Sequence, residues 1–373
     1  MAIQVLQQPS HISFSGDPII VKAKTTLTGK TFLRIKLKVN AQAYRSGESN
    51  SYSEGYIYEV SSDGVAVFNI GETISTALKR CMTCEVSGTT VTQKSYAVSY
   101  TLTYTEAFLE DMVEIEEGEV TSQTYNAIPG KLTEFERMTA GNSDTSSLIG
   151  SGRILSRKPS GDRIIKGIDW YIPAVKTSGD TISYTVVQGD TRNSGSQYTG
   201  GSLVPASIKI DTSSLLTGEV IVSTSEDTGK KHYVVQPFVG MRHFLFLNKF
   251  GLVESVTAVA RESLSYSIDS ELYSVPVDVN FRQNTQVMNY AQEPFASLAM
   301  SSGFVTREWA EWWINEFLVT RKAWMMVDGI FLPVAIVPEE TNEIYDRSKP
   351  SLIAVNFTVR FSFTGGTFNS FVR

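Results

Sequence analysis

Apolar and polar residues alternate with period two along most of this chain, the pattern of strands that bury one face. Tyr96, Val98, Tyr100, Leu102 and Tyr104 fall on one side of such a strand, with Ala97, Ser99, Thr101 and Thr103 opposite. Ile353, Val355, Phe357, Val359, Phe361 and Phe363 repeat the pattern near the C-terminus. Shorter examples are Phe32, Ile35, Leu37, Val39; Ile182, Tyr184, Val186; and Val275, Val277, Val279, Phe281. Clusters of Ser, Thr, Gly, Asn and Asp separate them, as turns require. One-sided alternation argues for antiparallel sheets, because buried parallel strands read as continuous apolar runs. The expected fold is mainly β: multidomain, antiparallel and β-sandwich-like, with a C-terminal α+β domain carrying one Trp-rich helix.

The pattern divides the chain into an N-terminal β-sandwich-like domain (1–106), an acidic and polar connector or arm (107–161), a second β domain (162–237) and a C-terminal α+β domain (238–373). Glu72 to Arg80 reads as a short helix, with Ile74 and Leu78 on one face. The acidic run Glu110 to Glu119 reads as a solvated linker or edge. The polar stretch 127–161 is too long for a loop inside one compact core, which points to an arm, a binding loop or a segment laid on a neighbour. Gly189 to Gly201 reads as a loop tip. In the last block, strands around Phe244–Leu247 and Ser255–Ala258 are joined by a tight Asn248–Gly251 connection, and Val275–Phe281 pairs with Gln286–Tyr290. Thr306 to Thr320 is the clearest helix, with Thr306 at the N-cap and Glu308 in the first turn. Trp309, Trp313 and Phe317 recur every four residues, flanked by Ala310, Ile314 and Leu318. Asp328-Gly329 between two apolar runs signals a hairpin.

Composition narrows the function classes. A chain of 373 residues suggests two or three domains. Only 19% of residues are charged, so part of the surface is expected to be covered in an assembly. The net charge of −6 comes without a basic tail or Lys/Arg run, which argues against direct nucleic-acid binding. Met1 to Val5 shows no charged segment leading into an apolar one, and apolar stretches such as Phe331–Val337 are too short to span a bilayer. Synthesis in the cytoplasm without membrane insertion is expected. Two cysteines, Cys81 and Cys84, make no disulfide framework and fit a reducing compartment.

The search for chemistry returns little. Cys81-Met82-Thr83-Cys84 is a C-x-x-C, but it follows a helix where redox pairs precede one, and it lacks the further ligands of a zinc site. Partly buried thiols are the plainer reading. His11, His232 and His243 have no ligand spacing and read as structural. Nucleophile-elbow, phosphate-loop, dinucleotide and zincin motifs are absent, and Gly150-Ser151-Gly152 sits in polar connector. The carboxylates at 110–119 and Glu339–Glu340 lie in solvated segments and suggest no acid–base pair. No enzyme, catalytic residue, cofactor or metal ligand is expected. Trp309, Trp312, Trp313 and Trp324 form the richest aromatic group; helical spacing favours packing on a sheet, with Trp312 the one angled toward an interface.

The run Arg242-His243-Phe244-Leu245-Phe246-Leu247-Asn248-Lys249-Phe250-Gly251-Leu252-Val253-Glu254-Ser255, then a Trp-rich helix, a hairpin reaching Phe331-Leu332-Pro333-Val334-Ala335-Ile336 and a closing alternating strand, resembles structural proteins of the tail, baseplate and neck modules of phages and prophages of Bacteroidota. His11 to Ile19 looks like their opening strand. Gly130 to Arg137 and Leu155 to Gly161 look like their central connector. The resemblance implies a virion subunit that self-associates into a ring or stack and meets other virion proteins, without a cofactor. Contacts with neighbours are expected in 127–161 and 338–351, at Leu132, Phe135, Arg137, Leu148, Ile149 and Tyr345, and at Trp312. The alternative is a carbohydrate-binding or adhesin-like β-sandwich protein, which requires exposed aromatics on a concave face.

Overall fold

A computed structural model describes residues 3–134, 153–224, 230–236, 240–279, 282–339 and 353–361, with side chains described except at 230 and over 260–296. The fold is mainly β, built of sheets that are antiparallel apart from two parallel strand pairs, with few helices.

The first unit contains strands β1 (Gln4–Gln7), β2 (Ile12–Phe14), β3 (Ile20–Lys24), β4 (Thr31–Arg45), β5 (Glu48–Glu59) and β6 (Val65–Asn69). Helix α1 (Gly71–Cys81) follows, then β7 (Thr83–Ser87), β8 (Thr90–Lys94), β9 (Ala97–Glu110), β10 (Val113–Thr121) and β11 (Tyr125–Ile128). A three-stranded sheet, β1-β3-β6, faces a larger one ordered β2-β11-β9-β4-β5, with β10 also paired to β9. The alternating residues read from the sequence fill the space between them: Ile35, Leu37, Val39, Tyr100, Leu102 and Tyr104 meet Val21, Ala23 and Phe68, and Ile74, Ala77 and Leu78 of α1 close one side. Glu72 in the first turn of α1 and Lys79 and Arg80 in its last complement the helix dipole. The expected boundary at 106 falls short, because β10 and β11 both pair with β9 and carry this unit to Ile128. The acidic run is therefore a strand at the edge of a sheet, with Lys36 of β4 reaching Glu114 at 3.0 Å and Glu116 at 2.5 Å.

The second unit holds β12 (Arg153–Ile154), β13 (Asp162–Ile165), β14 (Trp170–Val175), β15 (Thr181–Gln188), β16 (Thr191–Tyr198), β17 (Ala206–Ile210), β18 (Gly218–Thr224) and β19 (Lys230–Gln236). Sheet β12-β14-β17 packs on sheet β13-β19-β18-β15-β16. Trp170, Ile172 and Ile208 from one side bury against Ile164, Ile182, Val222 and Val235 from the other. The segment expected to be a loop tip is mostly strand: β16 pairs with β15 from Gln188↔Thr191 to Thr181↔Tyr198. Its residues are polar on both faces, so no period-two signal marks it.

The third unit is a closed barrel ordered β20-β21-β22-β25-β24-β23, built from β20 (Met241–Leu247), β21 (Val253–Val279), β22 (Arg282–Val305), β23 (Ala323–Val327), β24 (Ile330–Pro338) and β25 (Ile353–Phe361). Closure leaves no free edge around the ring. Helix α2 (Arg307–Trp312), continued by one π turn (Trp313–Phe317), packs on the barrel core. Trp313 stacks on Phe357, and Phe317 meets Phe244, Phe246 and Phe357 edge-on. Thr306 occupies the N-cap position, but its side chain makes no capping bond. The tight turns are as expected: the Asn248 Oδ1 accepts from the Phe250 and Leu252 amides at 3.0 and 3.2 Å. Asp328 and Gly329 take φ 47° and 82° between β23 and β24, as a two-residue hairpin loop needs.

Two apolar clusters fuse the three units. One gathers Phe14, Ala97 and Ile128 from the first, Val175, Leu203 and Val204 from the second, and Phe250 and Leu252 from the third. The other joins Tyr171 to Leu245, Val253, Trp324 and Phe331 of the barrel, with Cys84, Val86 and Val91 of the β7–β8 hairpin against them. This explains why Phe244-Leu245-Phe246 is apolar without interruption: Phe244 and Phe246 serve the barrel core and Leu245 serves the junction.

Gly130 sits in the first junction with φ 134°, and a Cβ there would meet the Phe250 ring at 2.3 Å. Gly167 has φ 85° with nothing within 4 Å of its Cβ position. Gly130→Ala is expected to cost roughly 2–4 kcal/mol through strain plus overpacking, and Gly167→Ala only about 1 kcal/mol through strain. Chemical denaturation of both variants checks the difference.

Candidate functional site

The ends of the expected connector are not a free arm. Residues 155–163 run between the second unit and the barrel as a strap, and Lys158 within it is 2% exposed. The Lys158 ammonium donates to Asp162 Oδ2 at 2.8 Å and to the Ser255 carbonyl, and lies 3.7 Å from Glu254 Oε1. The rings of Trp170 and Trp312 flank it, with centroids at 5.1 and 5.2 Å. Glu254 also accepts from the Ser156 hydroxyl and from Asn248 Nδ2 at 3.0 Å, and that amide donates to the Leu155 carbonyl as well. Next along the strap, Arg157 donates to Glu316 Oε1 at 2.8 Å and to the Lys131 carbonyl. The network ties the β20–β21 turn, β21, the π turn after α2 and the strap together, with its buried charges paired.

Burial sets the protonation of these groups. It pushes the Asp162 carboxyl up, with Lys158 offsetting part of the effect, and pushes Glu316 up against the opposing pull of Arg157. It lowers Lys231, whose ammonium donates to the Lys158 carbonyl at 2.5 Å. His243 is driven down to about 3, first by burial and then by the nearby Lys158. Its Nε2 is 3.3 Å from Ser255 Oγ, a spacing also found in nucleophile–base pairs. Both residues are fully buried between the barrel, Trp170 and Phe331.

The site residues expected from sequence divide into two sets. Trp312 corrects the expectation that it faces a neighbour: it is 5% exposed, edge-on to Phe246, Trp309 and Trp313 and beside Lys158. Its angle on the helix turns it toward the strap. Leu132 is likewise buried, in the cluster that fuses the three units. Phe135, Arg137, Leu148, Ile149 and Tyr345 lie outside the described residues. The chain's five tryptophans are buried or half-buried, so they form no exposed aromatic platform. The cysteines are partly buried thiols: Cys81 Sγ donates to the Ala77 carbonyl at 3.4 Å, and burial raises Cys84 to about 11. Among the described residues, no group of three or more His, Cys, Asp or Glu side chains could hold a metal, and no helix is long and apolar enough to cross a membrane.

One feature was only half visible in the sequence. β21 and β22 run 27 and 24 residues, much longer than the other barrel strands. Pairing with β20 stops at Val259 of β21, and pairing with β25 stops at Ser297 of β22. Beyond that the two pair only with each other, from Tyr266↔Ala296 to Val279↔Arg282, with a register shift at Glu271/Leu272. At about 3.3 Å per residue this two-stranded ribbon is roughly 45 Å long. Pro276 and Pro294 lie within it; proline cannot donate to a further ladder, so these positions resist strand addition. The period-two reading covers Val275 to Phe281; Leu264, Tyr266 and Ile268, alternating with Ser265, Ser267 and Asp269, continue the same pattern toward the barrel.

No family model and no curated protein matches this chain. Among solved structures, a crystal structure of CBD12 from CALX1.2 aligns over 61% of this chain and 80% of its own, at 7% identity and a TM-score of 0.19. A 1.5-MDa bacterial ice-binding adhesin aligns over 81% and 92%, at 10% identity and a TM-score of 0.18. The BSP domain of a biofilm associated protein aligns over 80% and 63%, at 7% identity and a TM-score of 0.18. Likenesses this slight carry no argument about function.

Lys158→Met would leave the Asp162 and Glu254 carboxylates buried without their cation. It is expected to lower the unfolding free energy by about 3–5 kcal/mol, against less than about 1 kcal/mol for Glu311→Ala, which breaks the exposed pair with Arg307. Denaturant titration distinguishes them. His243 carries a pH signature. Its pKa is about 3 folded and 6.5 unfolded, so the unfolded chain binds the extra proton between those values and stability is lost as pH falls through that window. Asp162 and Glu316, with raised carboxyls, act in the opposite sense, so the comparison with His243→Phe isolates the histidine. Relative to that variant, the parent should lose up to about 3 kcal/mol between pH 7 and pH 4.

Proposed function

We propose that this chain is a non-enzymatic structural subunit that works by assembling with other protein subunits through the β21–β22 ribbon, in the setting of a phage tail, baseplate or neck. The ribbon carries the reading. Two strands alone do not form a stable unit in water, because they have no third strand and no second layer to bury a face. A ribbon of roughly 45 Å leaving a closed barrel becomes worth ordering when it lies on another chain. The rest of the molecule is suited to hold it out. The barrel root is closed, α2 fills its core, and the junctions join it to both sandwiches. A ribbon from one copy laid on the next makes a head-to-tail contact, and such contacts close into rings when the rotation allows. The virion setting rests on the resemblance carried by 242–255, the Trp-rich helix and the closing strand.

Replacing 264–295 with a two-residue Asn-Gly loop is expected to leave a folded barrel, with unchanged tryptophan fluorescence and a cooperative thermal transition. The same change is expected to abolish ordered oligomers on electron-microscope grids and in sedimentation velocity. Oligomers of unchanged size would remove the reading.

A further inference from the structure

We infer that the groove between α1 and the barrel is a docking site for the acidic β9–β10 edge, residues 110–119, of a second copy of this chain. The inference rests on the assembly reading above and assigns it a second contact surface, independent of the ribbon.

The groove has a volume of about 800 Å³ and runs between the first unit and the barrel. Lys79 at the end of α1, Lys131 after β11, Lys249 in the β20–β21 turn, and Arg321 and Lys322 before β23 all line it, and all are exposed. Lys249 lies 3.9 Å from Glu316, which Arg157 already holds at 2.8 Å. Among the described residues, Lys79, Lys131, Arg321 and Lys322 have no ion-pair partner. Of the carboxylates on the wall, Glu316 is buried and committed to Arg157, Asp17 accepts from the Leu132 amide at 3.0 Å, and Glu72 is exposed. The surplus is positive, on a chain whose net charge is −6. Several like charges gathered on facing walls repel one another unless an anionic partner enters.

The chain carries such a partner on its own surface. Glu110, Asp111, Glu114, Glu116, Glu117 and Glu119 fall within ten residues. Their ion pairs among the described residues are to Lys30 and Lys36, which leaves Asp111, Glu117 and Glu119 unmatched. β10 pairs on one side only, with β9, and its tip exposes Met112 (96%) and Val113 (62%). An extended, acidic edge with an apolar tip complements a basic groove lined also by Leu78, Met82 and Phe250. The contact uses two different patches, so it is head-to-tail and adds copies in one direction. Interfacial charge of this kind governs register and partner choice, and it weakens with salt.

The test is sedimentation velocity on the full chain at low and high salt. Arg321→Glu with Lys322→Glu, and separately Glu117→Lys with Glu119→Lys, should each weaken self-association at least ten-fold. The four changes combined in one chain should restore it to within about three-fold of the parent, because the two signs are exchanged together. Unchanged association in the two double variants, or no recovery in the combined one, overturns the inference. If the groove variant self-associates normally but no longer binds poly-glutamate, the groove takes another protein's acidic segment, and the inference also falls. In either case, loss of oligomers on ribbon shortening still upholds the assembly reading. A ribbon-independent association that obeys the charge exchange upholds the groove and removes the ribbon reading.

Discussion

The ammonium of Lys158 is the constraint around which the molecule is arranged. A buried cation is tolerated only when carboxylates, carbonyls and aromatic faces surround it. Those groups come from different parts of the chain: Asp162 from the strap end, Glu254 and Ser255 from β21, Trp170 from β14, and Trp312 from α2. Each must sit within a few ångströms of one point, so the second sandwich, the barrel and its helix have a single mutual arrangement. Apolar burial alone is less exacting, because greasy surfaces tolerate sliding. The buried charges select one pose, and the apolar clusters above and below supply the free energy that holds it.

The elements legible in the sequence were those with a one-sided environment. β9 and β25 alternate cleanly because one face meets a core and the other meets solvent or another sheet, and α1 shows its stripe for the same reason. Asn248–Gly251 and Asp328-Gly329 were legible because turn geometry restricts residue type. What failed had environments that local pattern does not encode. β16 is polar on both faces, and β10 is acidic enough to pass for a linker. The polar composition of 127–161 suggested an arm, a binding loop or a segment laid on a neighbour, yet Arg157 and Lys158 at its end are paired inside the molecule. Trp312 was assigned outward because nothing in the helical spacing reveals that a strap covers that side of α2. Site reading suffered the same limit: Leu132 was expected at a contact with a neighbour, but its contacts are within the chain.

The barrel and the ribbon use one pair of strands for opposite purposes. Inside the ring, β21 and β22 each have a neighbouring strand on both sides. Past Val259 and Ser297 the same strands keep one ladder and lose the other. A register shift marks the transition on β21, between Ala260 and Leu264. Bulges at such points re-aim a strand and end pairing with the old neighbour. The junction between body and appendage is thus written into the hydrogen-bond register, without a flexible linker.

The cluster around Phe14, Gly130 and Phe250 also has consequences for how the chain is made. Its members are separated by more than half the sequence, from Ile12 to Leu252. During synthesis at roughly 5–20 residues per second, the first sandwich emerges several seconds before the barrel turn that must cover it. Through that interval Phe14 and Ile128 have no cover from Phe250, and their final contacts carry the loop-closure cost of a long intervening segment. The nascent first unit is therefore the species most in need of shielding, and the docking of the β20–β21 turn onto it is the step that ends its vulnerability.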